Sequence, residues 1–395
     1  MIVIGGSYRE ECATPAWDRI FGSGGRAAAA ISQLSPGTEL HTYAFTGWAD
    51  DVRESMAAFQ VSSHVREINE EITFTYFHPL SQSNMFPLHP AQCAPIEVTG
   101  DNVIRFGMVE GESIVNAKTA IFDPQTHTSI SFRNNGSNAS RLGIVLNEIE
   151  LINGTGQVEV EIAASSLIQS ENADALVVKQ GVSGATVFER GVRAVSIPAY
   201  RSDRVFKIGS GDVFTAVFAH YWGECNLSAV EAVNLASKSV CHYVNTRNLP
   251  IPPISEIICG LPLKKSTEPR RIYIAAPFFD IGQRWVVEEA LRCLVACGAN
   301  VFSPLHDIGT NFEPKEISSK DIEGLLSCSA VFAILNGGDP GTIFEIGYAR
   351  SHNIPVVVLA ENINPTDATM FDGSGCEIVG DFASAIYRVI WATWR

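Results

Sequence analysis

A proline-rich break, Leu249-Pro250-Ile251-Pro252-Pro253, divides this chain into two series of alternating strand-like and helix-like segments. At 395 residues the chain is too long for one ordinary core, so the break marks a change of domain. Before it, apolar runs alternate with alanine-rich stretches, the rhythm of an α/β sheet covered by helices. Residues 26–32 read as a helix opening on Gly22, Gly24 and Gly25. Thr73-Phe74-Thr75-Tyr76-Phe77 alternates with period two and predicts a half-exposed strand in a small lid. The run 175–179 predicts a buried parallel strand, and 212–222 a long apolar helix. Residues 263–269 are polar and end on proline, as a linker does.

A second βα series then follows. Strands are predicted at 271–275, 299–302, 330–335 and 354–359, with helices at 285–297, 343–351 and 382–394. The expected organisation is a first domain at 1–255, a linker at 256–269 and a smaller doubly wound parallel-sheet domain at 270–395.

The formal charge of -15 argues against a broad nucleic-acid surface, which needs a dense Lys/Arg footprint. Small anionic substrates would be held by backbone N–H groups, metal ions or local Arg and Lys. Met1-Ile2-Val3-Ile4-Gly5-Gly6 lacks a basic, apolar leader and reads as a first strand. No apolar run is long enough to span a membrane. Nine scattered cysteines fit unpaired thiols in a reducing cytoplasm. The sequons at Asn135 and Asn153 are chance matches on that reading.

Lys207-Ile208-Gly209-Ser210-Gly211-Asp212 precedes a helix. Glycines there let the backbone aim N–H groups at an anion, and an aspartate beside them can take a proton from a hydroxyl. The same residues also make an ordinary turn and helix cap. The stretch resembles the signature of ribokinase-like (PfkB-type) carbohydrate kinases. Gly24-Gly25 resembles that family's sugar-binding glycine pair, and residues 45–51 its Gly-x-Asp element. Asn147-Glu148-Ile149-Glu150 resembles the Asn-x-x-Glu motif that organises Mg²⁺ and phosphate, and Gly181 with Gly184 the element flanking the nucleotide. The resemblance implies ATP and Mg²⁺ as the donor system, Asp212 as base, and an anion hole at Gly209, Ser210 and Gly211. Ala28, Ala29 and Ala30 fall where the family carries a sugar-gripping Asn, and Glu10 or Glu11 stands in for its strand-end Asp.

In the C-terminal third, Asp339-Pro340-Gly341-Thr342-Ile343-Phe344-Glu345 joins a turn to a helix and places Glu345 near the first turn, where the helix end favours a carboxylate. A carboxylate with an acid partner can cleave an N-glycosidic bond; such a pair also caps many surface helices. The stretch 344–349, with Ile272-Tyr273-Ile274-Ala275-Ala276-Pro277, resembles nucleoside 2-deoxyribosyltransferases. The resemblance implies Glu345 as nucleophile, Tyr273 as the hydroxyl holding it, and Asp321 and Asp339 as acids at the base. It also implies a homo-oligomer in which Met370 completes a neighbouring subunit's site. His306-Asp307 reads as a loop or supporting pair, so no direct metal ligand is expected.

Together these resemblances imply a bifunctional enzyme acting on small nucleosides, nucleotides or sugars. The alternative is a kinase-like ligand sensor that governs a nucleotide-depleting N-glycosidase.

Overall fold

The computed structural model describes residues 1–125, 130–266, 268, 270–309, 313–364 and 366–394. The chain forms two compact units, Met1–Ser202 with Phe206–Pro262, and Leu263–Arg395 with Asp203–Val205. Backbone bonds from Arg201 to Leu261 and from Gly260 to Arg201 tie residues 260–262 to the first unit. Of the expected linker, Thr267 and Pro269 lie outside the described residues.

The strands of the first unit are β1 (Ile2–Ile4), β2 (Arg9–Cys12), β3 (Trp17–Ile20), β4 (Glu39–Phe45), β5 (Ser62–Ile68), β6 (Thr73–Tyr76), β7 (Asn84–Phe86), β8 (Ile96–Phe106), β9 (Ser113–Asp123), β10 (Asn138–Asn147), β11 (Ala175–Lys179), β12 (Ala185–Glu189) and β13 (Val195–Ile197). Nine of them form one sheet in the order β13-β12-β11-β10-β9-β8-β1-β4-β5, parallel from β11 to β5. The expected strand at 73–77 is β6, in a separate small sheet ordered β3-β2-β6-β7.

Helices α1 (Gly22–Ile31), α2 (Ala49–Ala58), α3 (Glu148–Thr155), α4 (Val160–Glu171), α5 (Ser210–Phe218) and α6 (Ala229–Thr246) belong to the same unit. The period of two along β11 sends Ala175 and Val177 into one core and Leu176 and Val178 into the other. The first core holds α1, α2, α5 and α6, the second α3 and α4, so both faces of the sheet are covered.

The helix expected at 212–222 is not α-helical throughout. It is α-helical to Phe218 and π-helical over Ala219–Glu224. The wider turns seat Trp222 against Gly143, where a Cβ would come within 2.9 Å of the indole ring.

The second unit contains β14 (Arg271–Ala275), β15 (Asn300–Phe302), β16 (Ala330–Ile334), β17 (Val356–Leu359) and β18 (Glu377–Val379), with α7 (Ile281–Ala296), α8 (Pro304–Asp307), α9 (Pro314–Leu326), α10 (Pro340–Ser351), α11 (Thr369–Gly373) and α12 (Phe382–Ala392). Its sheet is wholly parallel, ordered β15-β14-β16-β17-β18. That order is doubly wound, with its switch point between β14 and β16, where such sheets bind ligands. Tyr273, Ala275, Val331 and Ala333 face the core that also takes Leu325 of α9 and Ile346 of α10.

Candidate active sites

The second unit places a tyrosine and a glutamate at its switch point. Tyr273, in the middle of β14, donates its hydroxyl to Glu345 Oε1 at 2.6 Å. The phenol ring stacks on Phe302 at 5.6 Å, which fixes its direction. Glu345 lines a cavity of about 330 Å³ between α9 and α10, with Asp321, Ile317, Phe344 and Tyr348 among its walls. Asp321 Oδ1 is buried and has no hydrogen-bond partner among the described residues, an acceptor or acid left for a ligand.

The helix-end account of Glu345 needs correction. α10 begins at Pro340 behind its N-cap Asp339, so Glu345 lies in the second turn. Burial pushes its carboxyl up to about 7; the negative charges of Asp321 and Asp339 act in the same direction, while the Tyr273 bond pulls it down. Burial also raises Asp321. Tyr273 is raised by burial and by Glu345, and so stays a proton donor. Asp339 is committed to the helix: its Oδ2 accepts from the Thr342 backbone at 2.7 Å and from the Thr342 hydroxyl at 3.0 Å. Met370 lies on α11, 78% exposed and outside the cavity wall.

In the first unit, Asp123, Asn147 and Lys179 end the parallel strands β9, β10 and β11. Parallel sheets bind ligands at that edge. Lys179 Nζ bonds Asp123 Oδ2 at 2.6 Å, and the Thr215 hydroxyl of α5 donates to the same oxygen at 2.6 Å. Burial opposes the Lys179 charge, but Asp123 and Glu150 raise its pKa overall. A Cβ on Gly211 would sit 3.5 Å from the ammonium, so the lysine lies against the glycine loop. α5 opens on Gly209 in the left-handed region (φ 75°), and no side chain caps it. A bare helix start beside a lysine suits a phosphate.

Asp212 is buried and occupied. Its Oδ2 accepts from Arg26 Nη1 at 2.9 Å and its Oδ1 from Gln125 Nε2 at 2.8 Å. Arg26, 1% exposed, also grips Glu10 through both terminal nitrogens. Its guanidinium presses on Gly209, where any side chain would collide with it. Arg26 lies over the Phe21 ring, and Phe21 and Tyr243 line a cavity of about 960 Å³ beside the small sheet.

Other motif residues have structural work. Gly24 must be bare because a Cβ would meet the Gly5 carbonyl at 2.5 Å. Gly25 follows it in α1, with room for a Cβ at 3.7 Å from Ser7 Oγ. Asn147 and Glu150 form the capping box of α3. Gly181 and Gly184 shape a left-handed turn (φ 53° and 98°) after β11. His306 bonds Ser303 and Glu288, and Asp307 accepts from the Ser303 amide.

Comparison with known proteins separates the two units. Residues 272–380 match the family model for nucleoside 2-deoxyribosyltransferase. No curated protein sequence matches the chain. Solved structures similar to the N-terminal part are kinases of the ribokinase family. Ribokinase from Cryptococcus neoformans var. grubii serotype A in complex with ADP is 15% identical, with 64% of this chain and 96% of that one covered and a TM-score of 0.48. Fructokinase from Vibrio cholerae O395 with fructose, ADP and calcium is 13% identical, covering 62% and 94% at 0.44. Phosphofructokinase-2 from Escherichia coli with potassium is 11% identical, covering 65% and 96% at 0.44.

Within the deoxyribosyltransferase-like segment, the sequence does not mark α9, and the motif at 344–349 gives no separate role to Phe344 and Tyr348, whose rings stack at 5.8 Å on the cavity wall. Their i,i+4 spacing was the available signal. In the first unit Asp123 carries no motif, and Lys179 and Arg26 read only as a strand end and a helix start, since nothing local links residues so far apart.

Proposed function

We propose that the second unit cleaves or exchanges the N-glycosidic bond of a nucleoside or nucleotide, with Glu345 as nucleophile. The observation that carries this reading is the Tyr273–Glu345 pair opening on a cavity that holds an unpartnered Asp321 oxygen. Tyr273 holds Oε1, leaving Oε2 to bond the sugar C1′ as the C1′–N bond breaks and its electron pair passes to the base. Asp321, its pKa raised by burial, gives the departing nitrogen a proton. Water or a second base then takes the sugar from Glu345. Phe344 and Tyr348 offer a stacking surface for the base.

With Glu345 near 7, kcat/KM should rise with pH on a limb centred near pH 7, because the nucleophile must be ionised. Tyr273→Phe removes a hydrogen bond to the ionised form. The limb should move upward by about one pH unit. A pH–rate profile whose limb stays in place in the variant would remove Tyr273 from this role.

For the first unit, we propose phosphoryl transfer to a sugar or nucleoside hydroxyl. Lys179, the amides of Gly209–Gly211 and the N-terminus of α5 fit a phosphate, and Asp123 Oδ1, buried without a hydrogen-bond partner among the described residues, fits a metal-bound water. ATP with Mg²⁺ would supply the phosphoryl group there. These residues would orient it while Asp212 takes the hydroxyl proton.

The Arg26–Asp212 pair favours a second reading, in which this unit senses a ligand and governs the glycosidic site. Both Asp212 oxygens already accept hydrogen bonds, from Arg26 and Gln125, so one of these must give way before the carboxylate can meet a substrate hydroxyl. The two readings separate in one assay: the full chain with ATP, Mg²⁺ and a panel of nucleosides, nucleotides and sugars, followed by mass. A kinase gives phosphorylated product that Asp212→Asn reduces by roughly 10²–10⁴-fold, with base release unchanged. A sensor gives no phosphorylated product, while first-unit ligands alter the rate of base release. No turnover of either kind by the wild-type chain would defeat both.

A further inference from the structure

Away from both candidate sites, β4 and β5 gather two imidazoles and a carboxylate at the rim of the large sheet. β5 is the edge strand and runs parallel to β4, with His41 paired directly to His64 and Glu39 to Ser62. Glu39 is two residues from His41, so both side chains leave the same face of β4. The imidazole rings stack with centroids 4.3 Å apart and 21° between planes, so their in-plane nitrogen lone pairs run nearly side by side and one ring must turn about its Cβ–Cγ bond before both can meet a single ion.

Glu39 Oε2 lies 3.7 Å from His41 Nε2 and 3.6 Å from His64 Nε2. Both separations exceed a good hydrogen bond. They are close to the spacing between two donor atoms on one tetrahedral zinc ion, roughly 3.3–3.4 Å for bonds of about 2.0–2.1 Å. One donor atom from each of the three residues lies within 4.8 Å of the others. Arg66, the nearby cation on β5, is engaged by the backbone oxygens of Ala94 and Pro95.

We propose that Glu39, His41 and His64 bind one divalent transition-metal ion through Oε2 and the two Nε2 atoms. Two imidazoles and one carboxylate suit zinc, and leave a fourth position open to water or an incoming ligand. The ion would clip the exposed edge strand to its neighbour, closing a sheet edge that could otherwise pair with another chain. The site is independent of the phosphoryl and glycosidic chemistry, so its loss leaves base release unchanged.

The test uses the full chain stripped of metal by a chelator and titrated calorimetrically with Zn²⁺. His64 is 57% exposed at its side chain, so His64→Gln and the double variant His41→Gln/His64→Gln should keep the fold, which circular dichroism checks. Wild type is expected to take up one more equivalent of Zn²⁺ than the double variant. His64→Gln alone should weaken that equivalent by at least about tenfold, since loss of even an outer partner of a metal ligand costs roughly 10–100-fold. Zn²⁺ should raise the unfolding temperature of wild type more than that of the double variant. Co²⁺ in its place should give weak visible bands from nitrogen and oxygen ligands that the double variant lacks. Equal stoichiometry and affinity in wild type and double variant would overturn the site, as would cobalt spectra showing thiolate bands alone.

Discussion

Replacing Glu345 by glutamine should lower the rate of base release by roughly 10³-fold or more, as loss of a covalent nucleophile does. The side-chain volume is kept and the Tyr273 hydroxyl can still donate to the amide oxygen, so the variant should bind substrate with nearly unchanged affinity. Its stability should respond to pH in a definite sense. The native Glu345 carboxyl titrates near 7 against an ordinary value of 4.5, so the folded chain holds that proton more tightly than the unfolded one. Wild type therefore loses stability as pH rises from about 4.5 through 7, and the loss is complete above it. Glutamine removes that contribution: the variant should gain most in unfolding temperature over wild type at pH 8 and least at pH 4.5. Thermal unfolding at the two pH values checks the sign, and rapid-quench assays of base release check the rate. A variant that releases base at the wild-type rate would remove Glu345 from the chemistry.

The parts of this architecture that were legible in the sequence are those set by local physics. The turn at Asp339-Pro340 leading into a helix was legible, although α10 starts at Pro340, three residues before the expected 343. The continuous apolar run of β11 reads as buried because both of its faces are covered. The pairing of Tyr273 with Glu345 spans 72 residues and was accessible only through a resemblance. Glu345 also shows where local reasoning failed. Counting from the turn suggested the favourable field of a helix end, yet the side chain sits one turn further on, where desolvation dominates. The sequence signal at Asn147 and Glu150 was ambiguous for a physical reason: one spacing serves both a capping box and a phosphate-organising motif, and in the fold the box is formed. Arg26 was read only as the start of an alanine-rich helix, since a pattern of apolar residues says nothing about where a buried guanidinium will find its carboxylates.

That guanidinium leads to the largest expected effect on stability. Arg26→Ala should destabilise the first unit by about 3–5 kcal/mol, because it strands two buried carboxylates without their cation. Arg26 is 1% exposed at its side chain, Glu10 7% and Asp212 9%, so water cannot easily take the place of the missing charge. Arg26 also carries a buried Nε with no hydrogen-bond partner among the described residues, a sign that packing against Gly209 rather than full hydrogen bonding sets its position. In urea, followed by intrinsic fluorescence, the midpoint for this unit should fall by roughly 1–2 M. The triple change Glu10→Leu, Arg26→Met and Asp212→Leu replaces all three charges with apolar side chains and should recover most of the loss, since a buried ion cluster replaced as a whole by apolar groups is nearly neutral in energy. A single Arg26→Ala variant as stable as wild type would mean that the arginine does not neutralise this pair. Asp212 would then be held by Gln125 alone, and the sensor reading would lose its main structural support.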